Sequence, residues 1–266
     1  VWFWIPDDGP DPPEAWTLPG FRPAGEAARG GRGGARRIEL PTGERLWWRE
    51  YRRGGWSARL RSRAFRSDRR LRGELRALRL LAEGGVPVPP PFLGRVERVS
   101  GGLHLVLVTR DLGGRSLLEA VLEAANPRAA LALCREAGRT VRRMQDLGFR
   151  HPDLHPGNLQ VGEDGRVHVL DLAGGSFASP GEGVPDPAAL VRCARFLRKH
   201  RGRDPSPREL CAFLQGFEPE ASRRRALLPE LRRRYLRQVR LRRLLWRRPR
   251  LAPPAFPREP LPSEGQ

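Results

Sequence analysis

The sequence predicts an α+β fold in two lobes: a small, mostly β N-lobe with one key helix, and a larger, mostly helical C-lobe. Three observations predict it. Strand signals separated by glycine-bearing turns crowd the region up to residue 112. A single helix with an apolar stripe interrupts them at 68–83. Beyond residue 126 the helical period dominates, broken by one short hairpin. The expected divisions are an irregular N-terminal arm at 1–27, the N-lobe at 28–112, the C-lobe at 113–250 and a Pro-rich disordered tail at 251–266. A chain of 266 residues is long enough for one large domain or two lobes, and no segment repeats.

Each element has its own reason. Residues 1–27 are rich in Pro, Gly and acidic side chains, which predicts irregular structure; Trp2 and Trp4 read as a local staple or a membrane contact. "GGRGGARRIEL", "PTG" and "ERLWWREY" read as a glycine-rich turn, a strand, a tight turn and a second strand. In "DRRLRGELRALRLLAE" the residues Leu71, Leu75, Leu78 and Ala82 recur on one helical face, and Gly84-Gly85 with "VPVPPP" end the helix. "FLGRVERVSGGLHLVLVTRDLGG" reads as two strands joined at Gly101-Gly102, then a linker near residue 112. Asn126 caps the next helix, with Pro127 in its first turn. Further helices begin at "DPAALVRCARFLRKH" and at "SPRELCAFLQGF", where Ser206 and Glu209 have capping-box spacing. A long arginine-rich helix is expected around 228–247.

Composition narrows the function. Three widely spaced cysteines without a CxxC argue against a disulfide framework or a zinc site and fit a reducing compartment. No apolar run approaches the ~20 residues of a membrane span, and "VWFWIPDDGP" lacks the basic region and apolar length of a signal peptide. A cytoplasmic location is therefore expected. The net charge of +20 implies anionic partners. Residues 221–250 alone hold 13 arginines and one acidic residue, Glu230. Two readings of that helix stay open: a core-facing helix with a solvated basic face, or docking on anionic lipid, worth about 1 kcal/mol per basic residue near the surface. Specific nucleic-acid binding is not expected, because no recognition motif accompanies the charge.

The chemistry concentrates in "RHPDLHPGNLQVGEDGRVHVLDLAG", residues 150–174. Pro152 and Pro156 stiffen a loop from His151 to Asn158, and "LQV" and "VHVL" flank a hairpin turn that delivers Asp171 beside it. Asp153 is placed to accept a proton from a substrate hydroxyl. Asn158 and Asp171 are hard oxygen donors suited to Mg²⁺, which binds through one or two carboxylates plus substrate phosphates. An Asp-x-x-x-x-Asn pair alone is more often two ordinary loop residues; His151 before it and Asp171 after it turn the balance. A Walker A site is excluded, since no Gly-Lys-Ser/Thr occurs.

The arrangement follows the kinase template of a catalytic-loop Asp and Asn followed by a metal-binding Asp. "HPDLHPGN…VLDLAG" resembles the catalytic loop of the protein-kinase-like superfamily. "WWREYRRGG" followed by "ELRALRLLAEGGVPVPPP" is similar to the lipopolysaccharide kinase (Kdo/WaaP) family, especially its 3-deoxy-D-manno-octulosonic acid kinases. The resemblance covers roughly residues 30–175. It implies a protein-kinase-like fold and transfer of the ATP γ-phosphate, with Mg²⁺, to an inner-core sugar of lipopolysaccharide. It implies a lipid A-core glycolipid as substrate and a monomer working peripherally on the inner face of the bacterial inner membrane, through the basic helix at 228–247. It also implies the roles of the residues: Asp153 as catalytic base, Asn158 and Asp171 as Mg²⁺ ligands, His151 as a brace, and Arg32, Gly33 and Gly34 in a loop over the phosphates. Two departures stand out. Pro152 replaces the Arg of many kinases, and the DFG motif reads Asp171-Leu172-Ala173-Gly174.

The chain has one lysine, Lys199, far from the position where the template needs one. Arg49 in "LWWREY" stands there instead, and Glu74, on the apolar stripe of the first long helix, is its expected partner. Trp47 shares Arg49's face, at the place of the adenine, where it either stacks on the base or blocks it. Two alternatives remain beside the lipopolysaccharide kinase. One is a small-molecule phosphotransferase of the aminoglycoside or choline kinase kind, which shares "DLHPGN". The other is a catalytically silent binding module.

Overall fold

The computed structural model describes residues 1–6, 11–27, 35–52, 64–178 and 205–245, with eight further residues between Asp186 and His200. The chain divides into two compact units. The first comprises Val1–Glu83, Val88–Gly113 and Leu172–Gly175; the second comprises Gly84–Pro87, Gly114–Asp171 and Ser176–Gln266.

In the first unit, period-two alternation sorts the side chains of an antiparallel sheet onto two faces. Its strands are β1 (Trp2–Trp4), β2 (Glu26–Ala27), β3 (Ala35–Glu39), β4 (Arg45–Glu50), β5 (Pro91–Val99) and β6 (Gly102–Arg110), in the spatial order β1-β5-β6-β4-β3-β2. Helix α1 (Arg69–Glu83) lies against one face, where Leu71 and Leu75 close over Gly94. A Cβ at Gly94 would lie 2.9 Å from a Leu75 methyl and 3.1 Å from those of Leu71, so both leucines would have to give. The opposite face presents Ile38, Leu46, Trp48, Val106 and Val108, all buried in one cluster with Trp16.

The arm at 1–27, expected to be irregular, is part of this architecture. Strand β1 pairs with β5 and β2 with β3. Trp16, on a single 3₁₀ turn, meets Trp48 edge-on at 5.3 Å and Phe92 at 6.0 Å. Arg95 has no exposed surface; it donates to the carbonyls of Trp16 and Leu18 and to Glu97, each at 2.9 Å. The reason is physical. The sheet face around Trp48 is too apolar to meet water, and a buried guanidinium needs acceptors. Both needs are met by the same 11–23 segment, whose Pro and Gly content hides the fact in the sequence. Trp16→Ala is therefore expected to cost about 3–5 kcal/mol, as for other buried large aromatic truncations. Urea unfolding checks it, and a loss below about 1 kcal/mol, the size of a surface change, would mean the arm does not cover the sheet.

The second unit is built on α3 (Pro127–Asp146). Asn126 caps it through a 2.9 Å bond from the Ala129 amide, as its sequence predicts. Before it come β7 (Arg115–Ser116) and the short helix α2 (Leu117–Leu122), whose Ser116/Glu119 capping box is complete. The helix Pro207–Phe217 crosses α3 so closely that a Cβ at Gly138 would strike the Phe213 carbonyl, and one at Gly216 the Arg135 carbonyl. Strands β8 (Phe149–Arg150), β9 (Leu159–Val161), β10 (Val167–Val169) and β11 (Ser176–Phe177) follow α3. Hairpin β9/β10 sits where the sequence predicts it, and Thr140 on α3 donates to the Val167 carbonyl at 3.1 Å. The arginine-rich helix runs over Ala221–Leu245, seven residues earlier than the expected start at 228, with Pro229 inside it. No helix among the described residues is long and apolar enough to cross a membrane.

Candidate active site

One group of candidate residues lies in the first unit, on the α1 face of the sheet. Alternation along β4 turns Arg49 to that face, and the apolar stripe of α1 carries Glu74 into the interior, where its side chain is 2% exposed. The two meet at 2.5 Å, Arg49 Nη2 to Glu74 Oε1. The other Glu74 oxygen accepts a short hydrogen bond from the Tyr51 hydroxyl, and the Arg49 guanidinium lies 5.0 Å over the Tyr51 ring. Burial first, and the Glu74 charge second, push the Tyr51 hydroxyl well above its ordinary pKa, so it remains a donor. Glu74 thus has a partner for each oxygen, which is what a buried carboxylate requires.

Trp47, two residues before Arg49, donates its Nε1–H to Asp111 Oδ1 at 2.9 Å. Arg37, its cross-strand neighbour on β3, pairs with the other Asp111 oxygen at 2.6 Å. Arg32, Gly33 and Gly34, expected over the phosphates, lie outside the described residues.

A second group lies within the second unit, on the His151–Asn158 loop and at Asp171, two residues after β10. His151 braces the loop: its Nδ1 accepts from the Asp153 amide at 3.0 Å, and its Nε2 bonds the Leu170 carbonyl at 2.8 Å. The pair of bonds defines a neutral ring with its proton on Nε2. Burial lowers its pKa and so favours that form, against the Leu170 carbonyl and the Asp171 charge, which act the other way. Asn158 Nδ2 donates to the Asp153 carbonyl at 2.8 Å, and the Asn158 carbonyl accepts from the Leu170 amide at 2.9 Å. The backbone of Asp153 is thereby held at both ends, while its carboxylate is 62% exposed. His155 Nε2 stands 3.7 Å from that carboxylate and Arg192 Nε 3.8 Å. His155 itself stacks on Phe196 at 4.3 Å between ring centres.

Asp171 is the one non-glycine residue with positive φ, 55°, among the described residues. Such strain collects at sites where the chain must aim a side chain. The bond between Leu170 and Asn158 sets Asp171 next to the loop, and its carboxylate is exposed. Among the described residues no three His, Cys, Asp or Glu side chains cluster as a metal site. A pair of oxygen donors, Asn158 and Asp171, fits the habit of Mg²⁺, which completes its shell with water and substrate phosphate.

The structure pairs Arg49 with Glu74, the contact expected from the sequence, and it bonds Asn158 to the Asp153 carbonyl and to Leu170, the neighbour of Asp171. It adds three residues that sequence reasoning missed. Tyr51 had a signal, since it lies on β4's continuation two residues past Arg49. Asp111 and Arg192 had none, because each reaches its partner across more than 38 residues of chain.

Comparison with known proteins comes to the same region. A family model described as the lipopolysaccharide kinase (Kdo/WaaP) family matches residues 25–181. A 3-deoxy-D-manno-octulosonic acid kinase of Actinobacillus succinogenes is 34% identical over 132 residues, 47% of this chain and 54% of that protein. The Vibrio cholerae protein of the same name is 29% identical over 134 residues, again 47% and 54%. The KEOPS complex subunit Bud32 of Pyrococcus abyssi is 31% identical over 112 residues, 42% of this chain and 47% of that protein. The chain thus spans about half the length of the curated relatives it matches. Among solved structures, WaaP in complex with acyl carrier protein has a TM-score of 0.55 at 20% identity, covering 89% of this chain and 99% of that one. That likeness concerns the fold, an α+β protein-kinase-like one.

Proposed function

The chain belongs to the lipopolysaccharide kinase (Kdo/WaaP) family, and from this we propose that it transfers the γ-phosphoryl group of ATP to a sugar hydroxyl of the lipopolysaccharide inner core. The observation that carries the reading is the Arg49–Glu74 pair. A chain whose one lysine is Lys199 still sets a fixed cation on the strand where phosphoryl transfer needs one.

The roles follow from chemistry. Asp153 accepts the proton of the acceptor hydroxyl as the oxygen attacks, its backbone held by His151 and Asn158 and its carboxylate open to solvent. Arg49 sets its positive charge beside the phosphates, and Glu74 keeps it from turning away. Asn158 and Asp171 would hold Mg²⁺, which when bound supplies charge neutralisation at the phosphate oxygens. The acceptor we favour is the 3-deoxy-D-manno-octulosonic acid sugar, by likeness to the relatives of that name, with heptose second. Such a glycolipid sits in a membrane. The helix Ala221–Leu245 offers exposed Arg223, Arg225, Arg232, Arg233, Arg237 and Arg240 for an anionic surface. That would place the protein on the cytoplasmic face of the inner membrane.

The test is label transfer from γ-labelled ATP to a panel: a lipid A precursor bearing the octulosonic acid, a heptose-bearing core, an aminoglycoside and choline. Label is expected on the first. Label on the aminoglycoside or choline alone would replace this reading with a small-molecule kinase. Asp171→Ala is separately expected to weaken Mg·ATP binding at least about tenfold, the loss of a carboxylate that would hold the metal. Unchanged affinity by calorimetry would remove Asp171 from the site.

A further inference from the structure

We propose that Arg192 is a positioning residue: its Nε–H bonds one oxygen of the Asp153 carboxylate and so aims the other at the acceptor hydroxyl. The inference rests on the kinase reading above. Arg192 lies outside the His151–Asp171 motif, and the fold brings it to the loop.

Its place is set by packing. Phe196 stands four residues from Arg192 and three from Cys193, the spacings that share a helix face. All three touch the catalytic loop. The Cys193 thiol donates to the Leu154 carbonyl at 3.7 Å, and the Phe196 ring stacks on His155 at 4.3 Å. Phe196 sits so close that a Cβ on Gly157 would lie 2.7 Å from its ring. Arg192 Nη2 donates at 3.4 Å to the His151 carbonyl and, at the same distance, to Asp186 Oδ2.

The other end of the guanidinium is unsatisfied. The Arg192 side chain is 16% exposed, and its Nε–H is buried with no hydrogen-bond acceptor among the described residues. A buried donor without an acceptor is rare and costly. The oxygen that it approaches is Asp153 Oδ1, at 3.8 Å. A movement of about 1 Å makes that gap a hydrogen bond, and the carboxylate, 62% exposed, has room to move. The bond is charge-assisted, and arginine keeps its charge at every working pH. On the far side, Oδ2 lies 3.7 Å from His155 Nε2. His155 Nδ1 accepts from the Gly157 amide at 3.0 Å, so Nε2 is the nitrogen that carries a proton toward Oδ2. With Oδ1 taken by Arg192, Oδ2 is the oxygen left to the acceptor. The hydroxyl proton passes to Oδ2 as the hydroxyl oxygen bonds the γ-phosphorus, and ADP leaves with the electrons of the broken P–O bond.

The experiment is a double-variant cycle on Arg192→Met, Asp153→Asn and the two together. It reads kcat, the KM of ATP and of the acceptor that the parent labels, Mg·ATP affinity by calorimetry, and a thermal melt. Arg192→Met is expected to lower kcat by about 10–10²-fold, the cost of a reacting group held about 1 Å out of place, with both KM values and Mg·ATP affinity within about twofold of the parent. In the Asp153→Asn background the same change is expected to cost nothing further, because no carboxylate remains to be aimed. Arg192→Lys, which keeps the charge and loses the Nε donor, is expected to fall between parent and Arg192→Met. Parental kcat in Arg192→Met overturns the proposal. So does an equal loss in both backgrounds, since Arg192 then acts apart from Asp153. A loss confined to the acceptor KM overturns it too, because Arg192 then binds the acceptor. A lowered melt with weakened Mg·ATP binding would mean that Arg192 holds the fold and aims nothing. If Arg192→Met does not fold, Arg192→Lys carries the same cycle. A parent that labels no acceptor overturns the kinase reading, and the positioning role with it; a parent that does, with any of the contrary outcomes above, overturns the positioning role alone.

Discussion

Asp153→Asn is expected to fold and bind nucleotide as the parent does, and to transfer phosphate about 10²–10⁴ times more slowly, the usual contribution of a positioned general base. The expectation comes from how the loop is held. His151 accepts from the Asp153 amide and Asn158 donates to its carbonyl, so both supports grip the backbone. An asparagine of nearly the same shape leaves them intact and removes only the proton acceptor. Among the described residues the approaches to the carboxylate are the 3.7 Å and 3.8 Å ones of His155 and Arg192, too long for hydrogen bonds, so its loss should hardly change stability. Turnover on the octulosonic-acid acceptor, nucleotide affinity and a thermal melt are the three measurements. Near-parental turnover would take the base role away from Asp153. A collapsed melting temperature would show that the side chain, and not the backbone, holds the loop.

Arg49 and Glu74 should behave as one unit. Arg49→Ala and Glu74→Ala are each expected to lower kcat/KM by about 10²–10³-fold, as for loss of a preorganised charge at a developing anion. The double variant should be little worse than either, because each single change already destroys the arrangement. The two singles should differ in stability. Arg49→Ala leaves Glu74 buried with Tyr51 as its remaining partner among the described residues, and breaking a buried pair in this way costs about 3–5 kcal/mol. Removing both partners should restore much of that stability and none of the activity. Arg49→Lys keeps the charge and loses the planar fork with which one cation can meet Glu74 and a phosphate together, so about a tenfold loss is expected. Activities near the parental level in both alanine variants would end the proposal. The phosphate cation would then be sought at Arg32 and Arg52.

Much of the second unit was legible because its signals are local. Asn126 and Pro127 start α3, the Ser206/Glu209 box starts Pro207–Phe217, and the hairpin β9/β10 is written in alternation around "GEDGR". Its motif from His151 to Asp171 is contiguous, so the order of residue types alone suggests the chemistry. Boundaries were less legible. The arginine-rich helix begins at Ala221, before Pro229, because the Arg224 amide finds the Glu220 carbonyl and the Arg224 side chain caps Glu218, contacts that no periodicity announces.

By itself the sequence determined strands β3 to β6, helices α1 and α3, the hairpin β9/β10, the motif from His151 to Asp171 and an arginine, Arg49, on the strand where the kinase template has lysine, since each of these is a pattern within a few tens of residues. Even the Arg49–Glu74 pair was readable, because a carboxylate on an apolar helix stripe is costly without a cation. The tertiary structure alone decided three things. It laid the 11–23 segment over Trp48, because an apolar sheet face and the buried Arg95 needed a cover with free carbonyls. It brought Arg192 within 3.8 Å of Asp153. It fastened Trp47 to Asp111, 64 positions away, so that an indole readable in the sequence as either obstacle or platform stands anchored by its edge. In each case the partner is supplied by chain remote in sequence, and for Arg95 and Asp111 it meets a buried polar group's need for a hydrogen bond, a match that no local pattern encodes.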